Sequence, residues 1–160
     1  MSAADVLAML RESDRTLAVA ESLTGGLLTD AFVQVPGASA VLLGGVISYA
    51  TDLKHEVLGV DARLLADEGP VHPEVARQMA DGVRRALALH GRIADVGVAT
   101  TGVAGPDRQG GRPPGTVYVG VAIGSRRIAA SGVFEGDRQA VRSAAVRLAL
   151  ETLSAVLDAE

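Results

Sequence analysis

A serine between an apolar run and a pair of glycines is the first residue whose position suggests chemistry. Leu17–Ala20 is apolar, Ser22 follows it, and Gly25-Gly26 leads into a segment whose apolar side chains recur at helical spacing. This pattern predicts a strand-to-helix turn with Ser22 at the carboxyl end of the strand. Unpaired amides at the helix start, from residues 23–26, would attract an anion beside the hydroxyl. In the alternative interpretation, Ser22 or Thr24 only caps the helix.

Lys54 is the second candidate, because it is the only lysine among fifteen basic residues. A desolvated lysine can lose its proton near neutral pH and act as a base, whereas arginine stays protonated. Tyr49 ends a predicted strand over residues 40–49, and Thr51 or Asp52 is predicted to cap a short helix with Lys54 in its first turn. Serine, lysine and tyrosine together can form a nucleophile that attacks amide carbonyls, with either the tyrosine or the lysine as the base. The alternative for Lys54 is a solvated position without a role.

Two further segments could bind an anionic part of a substrate. Thr101–Pro106 follows a predicted strand over residues 93–100, and its small residues and amides leave room for a phosphate. Arg138 follows Asp137 at a predicted helix start and could supply a bidentate positive charge. The alternatives are a mobile connector and a surface arginine.

The elements that must position these residues alternate between helix and strand over the first hundred residues. This order predicts a parallel sheet with right-handed crossovers and helices on both faces. The apolar run 40–49 is typical of a central strand, and Gly44-Gly45 indicates a bulge or a close approach of another chain segment. Residues 116–123 alternate, and Gly124-Ser125 predicts a hairpin to an antiparallel strand over 127–134.

The predicted fold class is therefore α/β, a three-layer α/β/α sandwich with a mixed, mostly parallel sheet that ends in an antiparallel hairpin. Ligands of such sheets bind at the carboxyl ends of strands, where Ser22, Tyr49, Lys54 and the loop after Thr100 converge. An apolar stripe from Val75 to His90 predicts a helix that places His90 in the core or at its edge.

Composition argues against several classes of function. The 160 residues are expected to form one domain over 1–160, and the net charge of −4 with only two phenylalanines, two tyrosines and no tryptophan argues against nucleic-acid binding. No cysteine is present and the histidines lack partners at ligand spacing, so we expect no metal. The longest apolar run is too short to span a membrane. Without a leader segment or cysteines, a cytoplasmic location is expected.

Several motifs in this order resemble the C-terminal domain family of the competence/damage-inducible protein CinA. They cover nearly the whole chain and comprise Glu21–Gly26, Gly44–Tyr49 with Lys54, Thr101–Pro106, Gly115–Gly120 and Gly136–Arg138.

The resemblance implies a nicotinamide-nucleotide amidase, which hydrolyses nicotinamide mononucleotide to nicotinate mononucleotide and ammonia without a cofactor. It implies Ser22 as the nucleophile, Tyr49 and Lys54 as the residues that activate it, and a homodimer or larger homo-oligomer. The residues expected to bind the nucleotide are Thr24, Gly25, Gly26, Thr101, Gly102, Gly105 and Arg138. The alternatives are a non-catalytic nucleotide-binding or regulatory module, and an amidase for another phosphorylated amide.

Overall fold

An open sheet of five strands organises the chain, and the computed structural model describes residues 1–160. The strands are β1 (Leu17–Glu21), β2 (Leu42–Ile47), β3 (Val96–Gly102), β4 (Thr116–Ile123) and β5 (Arg126–Val133). The helices are α1 (Ala3–Glu12), α2 (Leu27–Val33), α3 (Thr51–Glu56), α4 (Ala62–Glu68), α5 (Pro73–Ala86) and α6 (Arg138–Asp158), with a short 3-10 turn at Ala38–Ala40. No helix combines the length and apolarity needed to cross a bilayer.

The strand order is β2-β1-β3-β4-β5. Strand β1 pairs in parallel with β2 and β3, whereas the pairs β3-β4 and β4-β5 are antiparallel. Four of the five strands therefore run in one direction, and the predicted mixed sheet with its terminal hairpin is confirmed. The carboxyl ends of β1, β2 and β3 meet at one end of the sheet, where the candidate residues lie.

Helices cover both faces of the sheet, as predicted. The larger core lies under α1, α2 and α6, and the smaller core lies under α4 and α5. Glycines let α5 pack closely on its face, because a Cβ on Gly97 would lie 1.9 Å from the carbonyl oxygen of Ala80. A Cβ on Gly120 would lie 2.0 Å from the carbonyl oxygen of Ala76. The backbone of α5 therefore touches the strands directly.

The prediction of a central strand over residues 40–49 was wrong, since β2 lies at the edge of the sheet and each of its residues is at least partly exposed. Its apolar side chains reach both cores from the edge: Leu42 packs against the larger core, and Leu43 and Val46 pack against the smaller one. The register with β1 shifts next to Gly44, in agreement with the predicted irregularity. The run of apolar residues in β2 therefore reflects packing against the cores on both faces of the sheet, and does not indicate a central strand.

Two local predictions also need correction. Helix α5 ends at Ala86, and His90 lies exposed in a following turn with a φ of 51°, so it is not a core residue. Helix α3 begins after Ala50 without a side-chain cap, so Lys54 is its fourth residue and lies in its last turn.

Candidate active site

Ser22 lies in a tight turn between β1 and α2, as predicted. Its amide donates to the carbonyl oxygen of Thr100 at 3.1 Å, and its own carbonyl accepts from the amide of Gly25 at 3.1 Å. Gly25 and Gly26 have φ values of 55° and 108°, a left-handed conformation that favours glycine. The turn holds Ser22 at the end of β1 with 8 % of its surface exposed.

The start of α2 is capped by Glu21, the last residue of β1. Its fully buried carboxylate accepts from the amides of Gly26, Leu28 and Thr29 at 3.0, 3.1 and 2.8 Å, and from the Thr29 hydroxyl at 2.6 Å. The alternative in which Ser22 or Thr24 caps this helix is therefore wrong.

The capping carboxylate also limits which amides of the turn can bind an anion. Gly25 and Gly26 have bonded amides and shape the turn, whereas the amides of Leu23 and Thr24 have no acceptor in the chain. Because Thr24 is fully buried, the Leu23 amide is the donor of this turn that remains next to Ser22 for an anion.

Lys54 contacts the serine directly. Its Nζ lies 3.0 Å from Oγ of Ser22 and donates to the carbonyl oxygen of Ser48 at 2.7 Å. Only 1 % of the residue is exposed, and burial lowers the pKa of Lys54 from 10.5 to about 8. No acidic side chain contributes to the shift, because desolvation is its only cause. A substantial fraction of Lys54 is therefore neutral near pH 8 and able to accept the hydroxyl proton.

Tyr49 and Arg138 meet at the mouth of the site. Nη2 of Arg138 donates to the Tyr49 hydroxyl at 2.7 Å, and its Nη1 donates to the carbonyl oxygen of Gly105 at 2.7 Å. Tyr49 is 60 % exposed and forms no hydrogen bond with Ser22 or Lys54. The structure therefore brings both activating candidates, Tyr49 and Lys54, to the end of the sheet that carries Ser22, but places only Lys54 on the serine.

A cleft of about 370 Å³ opens above Ser22. Its lining comprises Ser22, Leu23, Tyr49, residues 102–109 and Arg138, which we call the active-site cleft. The lining carries two cations, Arg108 and Arg138, against one carboxylate, Asp107. Within the lining, the amides of Ala104 and Gly105 have no acceptor in the chain. The cleft therefore offers positive charge and free donors to an anionic group.

Four of the expected binding residues lie outside this lining, namely Thr24, Gly25, Gly26 and Thr101. The Thr24 hydroxyl is hydrogen-bonded to the Thr100 hydroxyl at 2.7 Å, and the Thr101 hydroxyl donates to the carbonyl oxygen of Pro70 at 2.7 Å. Both threonine side chains are fully buried. Their hydroxyls therefore support the walls of the site, while Gly102 and Gly105 line it.

Sequence reasoning assigned no role to Glu21, Ser48, Arg108 or Arg142. Arg142 donates through Nε to the carbonyl oxygen of Leu23 and through Nη2 to that of Thr24, each at 2.9 Å. It stands one helical turn after Arg138, and this spacing was a usable signal because residues four apart share a helix face. The sequence gives no signal for Ser48, because its contact with Lys54 is made by the backbone carbonyl, which every residue has.

The family model of the CinA C-terminal domain matches residues 1–157. A CinA-like protein from Frankia casuarinae is 47% identical over 152 residues, which are 95% of this chain and 34% of that protein. A putative competence-damage inducible protein from Geobacillus kaustophilus is 44% identical over 137 residues, 85% of this chain and 32% of that protein. This chain thus spans about a third of the length of these relatives.

Solved structures agree with this match. A CinA superfamily protein from Klebsiella pneumoniae superposes with a TM-score of 0.89 at 29% identity, covering 100% of both chains. The competence/damage inducible protein CihA from Agrobacterium tumefaciens superposes with a TM-score of 0.87 at 32% identity, covering 98% of this chain and 93% of that chain. With a family model that spans nearly every residue and structures that share its fold, this chain belongs to the CinA C-terminal domain family.

Proposed function

We propose that this chain is a nicotinamide-nucleotide amidase, which hydrolyses nicotinamide mononucleotide to nicotinate mononucleotide and ammonia. The observation that carries the proposal is the 3.0 Å contact between Nζ of Lys54 and Oγ of Ser22, with a lysine whose pKa burial lowers to about 8. A buried lysine on a serine hydroxyl is an arrangement suited to nucleophilic attack on an amide.

In the proposed reaction, neutral Lys54 accepts the hydroxyl proton while Oγ of Ser22 attacks the carboxamide carbon. The amide of Leu23, which lines the cleft and has no other acceptor, donates to the oxyanion that forms. The C–N bond then breaks, Lys54 returns the proton to the departing nitrogen, and ammonia leaves. A water molecule hydrolyses the remaining ester with Lys54 again as the base, which restores Ser22 and consumes one water for each ammonia released.

Other residues of the active-site cleft suit the phosphate of the nucleotide. Arg108 and Arg138 supply positive charge there, and the amides of Ala104 and Gly105 are free to donate. A volume of about 370 Å³ lies within the range of small-molecule sites, ~300–1,000 Å³. A substrate that carries both an amide and a phosphate therefore matches the nucleophile, the free amides and the positive charges of this cleft.

The test is an ammonia-release assay with nicotinamide mononucleotide, its riboside and free nicotinamide as substrates. We expect ammonia and nicotinate mononucleotide from the nucleotide, much slower release from the riboside, and none with the Ser22→Ala variant. Saturable binding of the nucleotide without turnover would instead support a non-catalytic module. Release of ammonia only from other phosphorylated amides would reassign the substrate.

A further inference from the structure

Asp107 is the only carboxylate in the lining of the active-site cleft. Its side chain is exposed and forms no hydrogen bond or ion pair within the chain. The arginines of the lining donate to neutral groups instead. Arg138 contacts the Gly105 carbonyl and the Tyr49 hydroxyl, and Arg108 contacts only a backbone carbonyl of its own loop, at 3.5 Å. The cleft therefore carries one negative and two positive side chains that do not pair with one another.

This mixture of unpaired charges indicates the kind of ligand that the cleft suits. A site for a purely anionic ligand would lose affinity through a free carboxylate, because like charges repel. A ligand that carries both an anionic and a cationic group interacts favourably with both signs of charge. Nicotinamide mononucleotide is such a ligand, since its phosphate is negative and its pyridinium ring is positive.

The size of the cleft brings Asp107 within electrostatic range of the ring. The cleft has a volume of about 370 Å³. A sphere of that volume would be about 9 Å across, close to the Debye length of about 8 Å at physiological salt. The charge of Asp107 therefore acts on a ring bound in this cleft without a need for direct contact, and the effect depends on whether the ring is charged.

We propose that Asp107 is a specificity-determining residue that favours the positively charged, oxidised pyridinium ring over a neutral ring of nearly the same shape. The inference rests on the proposed function for the identity of the ligand, and it adds the charge state of the ring that the site selects. The matched neutral ring is that of reduced nicotinamide mononucleotide, which keeps the carboxamide, the ribose and the phosphate. One added hydride removes the positive charge.

The test measures the Kd of both forms by isothermal titration calorimetry in the Ser22→Ala protein, where no turnover interferes. The discrimination ratio is the Kd of the reduced form divided by that of the oxidised form. Adding Asp107→Asn keeps the size of the side chain and removes its charge, so the ratio should fall about three- to fivefold, as expected for an exposed charge pair.

The control is Asp67→Asn in the same Ser22→Ala background. Asp67 is exposed on α4, outside the cleft, and its side chain forms no hydrogen bond or ion pair. This variant changes the net charge of the protein by the same amount as Asp107→Asn. It should leave the discrimination ratio unchanged, and an equal fall in both variants would overturn the inference.

The ratio separates recognition of the ring charge from other effects of a carboxylate. If Asp107 accepted hydrogen bonds from the ribose, or only repelled the phosphate, Asp107→Asn would change both Kd values by the same factor, because both ligands carry these groups. That outcome would overturn the inference. Raising the salt concentration from about 0.05 to 0.5 M should also lower the ratio of Ser22→Ala relative to that of the double variant, since salt screens the charge of Asp107.

The outcomes distinguish this inference from the amidase proposal. Ammonia release by the wild type, together with a ratio that Asp107→Asn leaves unchanged, would overturn the role of Asp107 and leave the amidase standing. A ratio that falls as expected, in a chain whose wild type releases no ammonia, would support the role of Asp107 and remove the amidase. Failure of the Ser22→Ala protein to bind either form would overturn the role of Asp107.

Discussion

The Tyr49 hydroxyl accepts a 2.7 Å hydrogen bond from Arg138, while Lys54 lies on the hydroxyl of Ser22. The sequence alone does not distinguish the tyrosine from the lysine as the base. Their surroundings separate them, because Tyr49 is 60 % exposed beside a cation and Lys54 is buried on the nucleophile. We therefore propose that Lys54 is the base and that Tyr49 acts at the mouth of the cleft in substrate binding.

Tyr49→Phe should consequently change binding more than turnover. Loss of one exposed hydrogen bond is worth about 0.5–1.5 kcal/mol, so KM should rise roughly 2- to 12-fold while kcat stays within about threefold. Steady-state kinetics at a fixed pH measure both constants. Lys54→Met serves as the comparison and should lose at least ~10³ in kcat. A comparable loss of kcat in Tyr49→Phe would identify the tyrosine as part of the proton-transfer machinery.

Arg138→Ala should weaken recognition of the phosphate. A charge-assisted contact is worth roughly 1.5–3 kcal/mol, so KM for nicotinamide mononucleotide should rise about 10- to 150-fold with little change in kcat. The riboside, which lacks the phosphate, should show no such change. Arg63→Ala is the control, since Arg63 is exposed on α4 and its side chain forms no hydrogen bond or ion pair. Equal use of riboside and nucleotide by the wild type would remove the phosphate site from the proposal.

The sequence was sufficient for the elements with strong local signals. Ser2 and Asp5 form a capping box, Asp61 and Asp137 cap their helices, and the Gly124-Ser125 hairpin joins β4 to β5. In each case the interaction joins residues that are close together in the chain, so a short sequence pattern is enough to predict it.

What the sequence did not reveal depends on contacts between distant segments. The edge position of β2 follows from which strand pairs with which, and a single apolar run does not encode this choice. Arg142 reaches residues 118 and 119 positions away, and Lys54 reaches Ser22 across 32 positions. The residues of the site were therefore predictable from the sequence. Which of them contacts Ser22 and which lies at the mouth of the cleft depends on the folded structure.

Glu21 should contribute to stability more than any exposed glutamate. Its removal would leave three amides and a hydroxyl at the start of α2 without an acceptor, so we expect Glu21→Ala to lower the free energy of unfolding by about 2–4 kcal/mol. Chemical denaturation measures the change, with Glu151→Ala on exposed Glu151 as the control. If the two variants were equally stable, the carboxylate would not be the cap that the geometry indicates.

The pH dependence of activity should follow the protonation of Lys54. Because its pKa is lowered to about 8 and the neutral form is the base, kcat/KM should rise about tenfold per pH unit below that value and level off above it. Lys54→Arg should be inactive at every pH, since guanidinium does not release its proton. A flat profile between about pH 6 and 9, or substantial activity of Lys54→Arg, would contradict a proton-accepting lysine.

The same pKa also links stability to pH. Burial lowers the pKa of Lys54 from 10.5 to about 8, so between these values the unfolded chain binds more protons than the folded one. The free energy of unfolding therefore rises with pH across this window. Below it, both states hold a protonated lysine, and the folded state carries the full penalty of a buried charge, on the order of 3 kcal/mol.

Lys54→Met removes this titration and keeps an apolar chain in the buried position. The free energy of unfolding of the wild type minus that of Lys54→Met should be constant below about pH 8 and should rise by about 3 kcal/mol toward pH 10.5. Urea denaturation of both proteins at matched pH values measures the difference, and groups that titrate in both proteins cancel. A difference that stays flat or falls with rising pH would mean that Lys54 keeps an ordinary pKa in the folded protein, and the lysine would then be too rarely neutral to serve as the base for Ser22.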